Sequence, residues 1–381
     1  MIPKVTVSLS NGNIGGATQT NDGVVGLVCT GTTNLGTSMV VYSLADAISK
    51  GITLAANPVA HRFVKEFYSV DGTANLPLYI LMLANTATVT NTVDKDNASG
   101  AKKLLDFAAG KIRVLGVSRT PAVEYDPDPT AFFDPDVTGA LANAKALAAA
   151  QFAAVNPVRV LLDCRVHDNA EVPAWVPNTK DANNVGFVVG GAESTGNASM
   201  GLVLGKIAAS PVHRNIGRVK DGALPIAQAY IGNKKVEEFA GLNSLIDNGF
   251  ITFTSYPQKA GYFISDDPMS TAATDDIKFL AHGRTIDKAS IIAYQTFVEE
   301  LKDDVQLQAN GTLAPIVIKH LEANIENNIN LSMAESISSV AAVIDPTQNL
   351  ASGSKLKIKL RITPRGYLKE IEVDLGFGVQ S

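Results

Sequence analysis

The sequence predicts an α/β fold. A mainly parallel or mixed sheet flanked by helices is followed by a smaller C-terminal domain with a long helix pair and a β-hairpin, and extended strands lie at the termini. Three observations predict it. From Val24 to Ala209 short apolar runs alternate with helical patterns, the arrangement of parallel strands joined by helical crossovers. After Thr274 two helix-length stretches follow one another, broken at Gly311. The last stretch, Lys355 to Leu375, alternates charged and apolar residues on both sides of Thr363-Pro364-Arg365-Gly366, the mark of half-buried strands around a turn.

Taken in order, Val5, Val7 and Leu9 alternate with Lys4, Thr6, Ser8 and Ser10 and predict a short strand. The polar, glycine-rich run 11–23 behind it has little to bury. The strand is either a tethered arm that pairs away from its own domain or the first strand of the local sheet. Strands are predicted at Val24–Cys29, Ser38–Val41, Pro77–Leu83, Lys111–Val117, Val158–Asp163 and Val185–Val189. Between them come a helix at 43–51 with a serine cap and a terminal glycine, and a helix at 57–70 with Val59, Phe63, Val64 and Phe67 on one side. Further helices are expected at 99–109, 137–155 and 197–209. The passage 210–261 is less regular, with a helix near 235–243 and a strand at 250–254. A strand from Gly261 ends in the turn at Asp266-Asp267-Pro268. Residues 275–304 read as one long helix, capped by Thr274 or restarted at Thr285, with Ile286, Ala289, Ala293, Phe297 and Leu301 along one side. A second helix runs from Ala314 to about Asn328, and an apolar strand covers 336–344.

For the closing hairpin one register satisfies charge and hydrophobicity together. With Ile362 opposite Tyr367, Lys359 faces Glu370, Lys357 faces Glu372 and Lys355 faces Asp374. On the other side Ile358 meets Ile371 and Leu356 meets Val373, with Leu375 ending the strand. Each facing pair adds roughly 0.2–1 kcal/mol, and an isolated ribbon is marginal in water. The hairpin is therefore an edge lying on its own domain, or a ribbon that finds partners elsewhere.

Composition narrows the function. The 381 residues suffice for two or three domains, and a hydrophobic content of 46% argues against overall disorder. A net charge of −5 does not suit a dedicated nucleic-acid binder, and the carboxylates of the last strand offset Lys355, Lys357, Lys359 and Arg361. Cys29 and Cys164 sit in apolar settings and read as core residues, with no disulfide framework. The N-terminus lacks the apolar segment of a signal peptide, and no apolar run approaches a membrane span.

Motifs for chemistry are few. Gly201-Leu-Val-Leu-Gly205-Lys206-Ile207 has three residues between its glycines and no Ser or Thr after the lysine, so it fails as a phosphate loop and reads as a helix with two small packing residues. His61, His167, His213, His282 and His320 are scattered, without a second ligand at metal spacing. The loop Tyr125–Asp136 carries four aspartates but three Asp-Pro steps, and reads as a proline-braced surface loop rather than a calcium site. No catalytic, cofactor-binding or metal-binding residue is predicted.

Four stretches resemble the tail sheath proteins of contractile phage tails and related injection systems. They are Gly201–Gly217, Gly261–Pro268 leading to Gly283-Arg284-Thr285-Ile286-Asp287, Ala309–Leu313, and the end from Ile362 to Val373. The resemblance covers mainly residues 185–381. It implies a structural subunit that polymerises as stacked hexameric rings around an inner tube, contracts without consuming nucleotide, and meets baseplate and tail-terminator proteins, with no nucleic acid or membrane insertion. Assembly would take place in the bacterial cytoplasm and the product would be a virion tail or injection particle. Residues 1–22 would be the N-terminal strand arm, 23–268 the α/β body and 269–381 the sheath C-terminal domain. Strand pairing between subunits would involve Val5, Val7, Leu9, Lys355, Lys357, Lys359, Glu370, Glu372, Asp374, Val373 and Leu375. The different-class alternative is an α/β hydrolase or transferase with a dispersed active site.

Overall fold

The structure, a computed structural model, describes residues 22–127, 132–167, 173–353, 355–369 and 371–373. The body contains β1 (Val25–Thr30), β2 (Ser38–Val41), α1 (Leu44–Ser49), α2 (Pro58–Ser69), β3 (Leu78–Leu83), α3 (Val89–Thr92), α4 (Ala101–Phe107), β4 (Val114–Val117), α5 (Pro135–Gly139), α6 (Leu141–Ala153) and β5 (Arg159–Asp163). It continues with β6 (Asp181–Ala182), β7 (Val185–Val188), α7 (Met200–Ala209), β8 (Tyr230–Ile231), β9 (Lys234–Lys235), α8 (Leu242–Asp247), β10 (Phe253–Tyr256), β11 (Lys259–Ile264) and β12 (Ser270–Thr271). The C-terminal module consists of α9 (Leu280–Val298), α10 (Pro315–Met333), β13 (Ile337–Ile344) and β14 (Ile358–Pro364).

Six strands form the main sheet in the order β2-β3-β1-β4-β5-β7. β1, β3, β4, β5 and β7 are parallel, and β2 joins β3 antiparallel. Every residue of β1, β4, β5 and β7 is buried, as continuous apolar runs require when helices cover a parallel sheet. The fold is α/β, as the strand–helix alternation predicts.

Local chemistry explains the helices. Ser43 caps α1 by accepting the Asp46 amide at 3.0 Å. α7 packs on α2 through Gly201 and Gly205: a Cβ on Gly201 would collide with the Phe63 carbonyl oxygen, and one on Gly205 would lie 2.9 Å from Val70. The failed phosphate loop is thus a packing helix, and Lys206 donates to the Asp221 carbonyl at 3.1 Å. Cys29 and Cys164 are free and buried.

Besides the helix expected near 235–243, whose place is taken by β9, a 3-10 turn at Val236–Glu238 and α8 from Leu242, three elements differ from expectation. The helix expected over 137–155 is split, α5 ending at Gly139 and α6 starting at Leu141. The long helix begins at Leu280 rather than 275 and ends at Val298. Asp275 is spent on a turn, accepting from the Ile277 amide at 2.7 Å, Thr271 at 2.9 Å and Asn183 at 3.1 Å. Neither Thr274 nor Thr285 caps α9; Asp267 does, accepting the Ala281 amide at 3.0 Å. The third difference is the hairpin itself.

Candidate assembly interface

The ribbon of the C-terminal module is built from β13 and β14, not from the two halves of the last stretch. β14 runs antiparallel to β13 with Val340 opposite Ile362, Ala342 opposite Leu360 and Ile344 opposite Ile358. Ala289 and Ile292 of α9, Ile325, Ile329 and Met333 of α10, and Ile337 and Ala342 of β13 form one buried cluster, on which Leu360 and Ile362 pack. Leu313, Ile318, Leu321 and Ile344 form a second, against which Leu356 and Ile358 lie. The period of two in β14 was read correctly and its partner was not. Lys359 faces Val343, and Arg361 faces Ala341. Lys357 precedes β14, and Gln348 accepts from its amide at 2.8 Å and donates to its carbonyl at 2.9 Å. Lys355 is exposed.

The two edges of this ribbon are unlike. On β13, the Ile344 amide donates to Glu322 Oε1 at 2.8 Å and the Ala342 amide to Glu326 Oε1 at 2.7 Å. Two carboxylates from α10 therefore occupy donors that a further strand would use. Lys319 and the Ile344 amide hold the Glu322 carboxyl below its usual range. Because Ala342 turns its amide away from β14, alternation in an antiparallel ladder turns the amides of Leu360 and Ile362 to the outer edge of β14. Among the described residues, β14 pairs with no strand besides β13.

Beyond β14 the chain returns to the body. Tyr367 donates to the His213 carbonyl, stacks on His282 at 5.5 Å between ring centroids and meets Phe279 edge-on at 6.3 Å. Lys369 pairs with Asp266 and lies over the Phe279 ring. Residues 371–373 form no strand. Ile371 is 71% exposed and Val373 68% exposed, and Glu372 is exposed too. Within the chain Lys359 therefore faces Val343 where Glu370 was expected, and Lys357 bonds Gln348 where Glu372 was expected. Glu370, Asp374 and Leu375 lie outside the described residues, as do Val5, Val7 and Leu9.

Sequence reading missed the joint between body and module. Arg159 opens the apolar strand β5 and reaches α9, donating to both oxygens of Asp287 at 2.5 and 2.7 Å and to the Gly283 carbonyl at 3.2 Å. Gly283 makes room, since a Cβ there would lie 2.8 Å from Arg159 Cζ. Asn215 donates to Asp266 at 2.6 Å and to Asp267 at 2.7 Å, and burial pushes the Asp267 carboxyl well up. The stretches around Asn215, Gly261–Pro268 and Gly283–Asp287 thus meet at one place. The available signal was a charge inside an apolar strand.

Structural bonds occupy the polar side chains at the strand ends and in the aspartate-rich loop. In an open α/β sheet, ligands enter at the carboxyl ends of the strands, where the strand order reverses. At the carboxyl end of β5, Asp163 accepts from Ser118 at 2.5 Å, the Ala198 amide at 2.7 Å and Asn197 at 3.1 Å. Burial pushes its carboxyl up to about 6 against the pull of those bonds. Where the order reverses, a cavity lined by Cys29, Thr30, Leu83, Val117 and Ser118 among others has a volume of about 10 Å³, room for one water. In the aspartate-rich loop, Tyr125 donates to Asp134 at 2.6 Å, and Asp136 accepts the Val89 amide at 2.6 Å, the Thr90 amide at 3.1 Å and Arg119 at 2.9 Å. His167 contacts the Phe133 carbonyl at 2.9 Å; Asp168 and residues 128–131 lie outside the described residues. Among the described residues no cluster of His, Cys, Asp and Glu is placed to hold a metal, and no helix is long and apolar enough to cross a membrane.

An α/β body followed by a C-terminal helix pair with a two-stranded ribbon is a fold found in contractile injection systems. A chain of the anti-feeding prophage (AFP) helical sheath in its contracted state superposes with a TM-score of 0.61 at 13% identity, over 99% of both chains. A chain of the AFP baseplate, 6-fold symmetrised, gives 0.61 at 12% identity over 99% of this chain and 100% of that one. The PVC sheath complex of an extracellular contractile injection system, also contracted, gives 0.59 at 10% identity over 99% and 97%. No curated protein matches the sequence. The chain belongs to the DUF2586 family, whose N-terminal domain matches residues 2–268 and whose C-terminal domain matches residues 276–381.

Proposed function

We propose that the chain is the sheath subunit of a contractile tail or injection system, polymerising as stacked hexameric rings around an inner tube and contracting to drive that tube forward. The observation that carries this reading is a shared fold running end to end, with 99% of this chain and 99% of a contracted-sheath chain superposed. The outer edge of β14, which pairs with no strand among the described residues, and the exposed Ile371 and Val373 add a physical route to polymerisation. Strand addition supplies main-chain hydrogen bonds and pockets for alternate side chains. In this reading the open edge receives a neighbour's terminal strand, from the segment carrying Glu370, Glu372, Val373, Asp374 and Leu375 or from that carrying Val5, Val7 and Leu9.

Residues 1–22 then act as an arm, 23–268 as the α/β body and 269–381 as the module that holds the lattice together. The subunit works mechanically, without a reaction of its own, alongside a tube protein and baseplate and terminator proteins. Energy for contraction comes from better contacts between subunits in the contracted lattice. Negative-stain microscopy of the purified full chain tests this. Rings or tubes are expected, and a discrete small oligomer at all concentrations would sink the reading.

A further inference from the structure

The chain leaves β14 at the weaker end of the ribbon. Pro364 pairs with Ile337 but has no amide to donate, and the register slips between Ile337 and Ser339. Ser338, Ser339, Thr363 and Pro364 are all exposed, so little burial holds this end of the ladder. β13 is entered from α10 at Ile337 and β14 is left at Pro364, so both load points lie at the same end. A pull on the chain beyond Pro364 would therefore open the rungs one after another.

Residues 365–369 stand between that end and the terminal segment. Arg365 Nη2 donates to the Ala334 carbonyl at 3.4 Å. The Tyr367 hydroxyl donates to the His213 carbonyl, and its ring lies 20° from the plane of His282 and edge-on to Phe279. This socket is itself held: His213 Nδ1 is 3.1 Å from Ser336 Oγ, and His282 Nδ1 is 3.1 Å from the Asp276 carbonyl. Burial, and then Asp267 and Asp266, push the Tyr367 phenol upward, so it stays a donor. Lys369 pairs with Asp266, which Asn215 holds at 2.6 Å, and its Nζ lies 3.6 Å from the Phe279 ring centroid. Immediately beyond, Ile371, Glu372 and Val373 are exposed.

We propose that residues 365–369 are an anchor that takes load off the ribbon. Tyr367 and Lys369 fasten the chain to the joint before the terminal segment leaves it. Tension on that segment then passes to the body and the start of α9 instead of unzipping β14 from β13. The inference rests on the reading that a neighbouring subunit takes the terminal segment, and it names how a subunit carries the resulting pull.

The test applies that pull to single full-length chains, with one handle at the C-terminus and one on Lys111→Cys, an exposed position of the body. The first rupture should need less force in Tyr367→Ala than in the chain with Tyr367. Lys369→Ala, at a partly exposed side chain that the core does not use, should lower it too. Without force, trypsin should cut after Arg365 about tenfold faster in Tyr367→Ala, as expected for the loss of an aromatic stack and a hydrogen bond. An unchanged first-rupture force in both variants overturns the proposal, as does an unchanged rate of cleavage. Because no tubes are needed, this test and the test of the sheath reading fail separately.

Discussion

Glu66 of α2 shows how a single buried carboxyl sets a pH dependence. Its Oε1 accepts from Ser199 at 2.9 Å, Oε2 has no partner, and Arg62 Nε stands 3.8 Å away. Burial pushes the carboxyl up to about 7, with Arg62 pulling the other way. A folded-state value above the unfolded one means that the stability is fully present below about 4.5 and is lost as pH rises through about 7. The displacement is worth about 3 kcal/mol. Glu66→Gln keeps an acceptor for Ser199 and removes the ionisation. In urea unfolding the variant should match wild type near pH 4.5 and become the more stable by pH 8. A difference that does not change with pH would show that Glu66 is ionised in the fold throughout. The Arg159–Asp287 pair is a second case, bidentate and buried on both sides. Arg159→Met strands Asp287 and should cost about 3–5 kcal/mol, while Arg159→Met with Asp287→Leu should recover most of it. Equal losses in the single and double variants would remove the pair from the joint's energetics.

At the scale of elements, the ribbon shows what a sequence can and cannot tell. Alternation in Lys355–Ile362 announced a strand, and the facing charges of residues 367–375 offered a partner. β13 takes that place because Ile337, Ala342 and Ile344 cover the α9–α10 cluster together with Ile358, Leu360 and Ile362. Burying an apolar side chain is worth about 1.5–3 kcal/mol, against roughly 0.2–1 kcal/mol for a facing charged pair. Helix limits were blurred for a related reason: the Asp267 cap of α9 comes from the previous turn, where no local pattern reveals it. Glu322 and Glu326 were unreadable too, since their role depends on how α10 lies along β13. The ribbon leaves Ile371 and Val373 in solvent. Exposed apolar residues at strand spacing contribute little to the fold of their own chain, yet suit a neighbour's sheet. Ile371→Ser with Val373→Ser should therefore melt within about 0.5 kcal/mol of wild type and fail to form tubes in negative stain. Tubes of normal yield would remove this segment from the lattice.

For the whole molecule, the α/β body was legible because each buried parallel strand is a continuous apolar run, as in Val25–Thr30 and Val185–Val188. The joint was not, because Arg159 lies far in sequence from Asp287, as Ser210 does from Arg284, and only the fold brings each pair together. The same joint bears on the N-terminal arm. Asp22 anchors the root of the first strand, its carbonyl accepting from Arg284 and its carboxylate from Lys288, so a cut before it leaves the anchor in place. Residues 1–20 hold few apolar strand residues, Val5, Val7 and Leu9 among them, ahead of a glycine-rich run. Their loss removes little burial from a body whose core spans β1 to β7. If the arm serves a neighbour, deleting residues 1–20 should leave a soluble protein whose cooperative melt lies within a few degrees of the full chain, while the tubes disappear. Some nonspecific association is expected from the strand edge that the arm no longer covers. Thermal unfolding and negative-stain images of the two proteins decide the matter. Loss of the cooperative melt would assign strand 5–9 to its own domain, and undiminished tubes would mean that the arm links nothing.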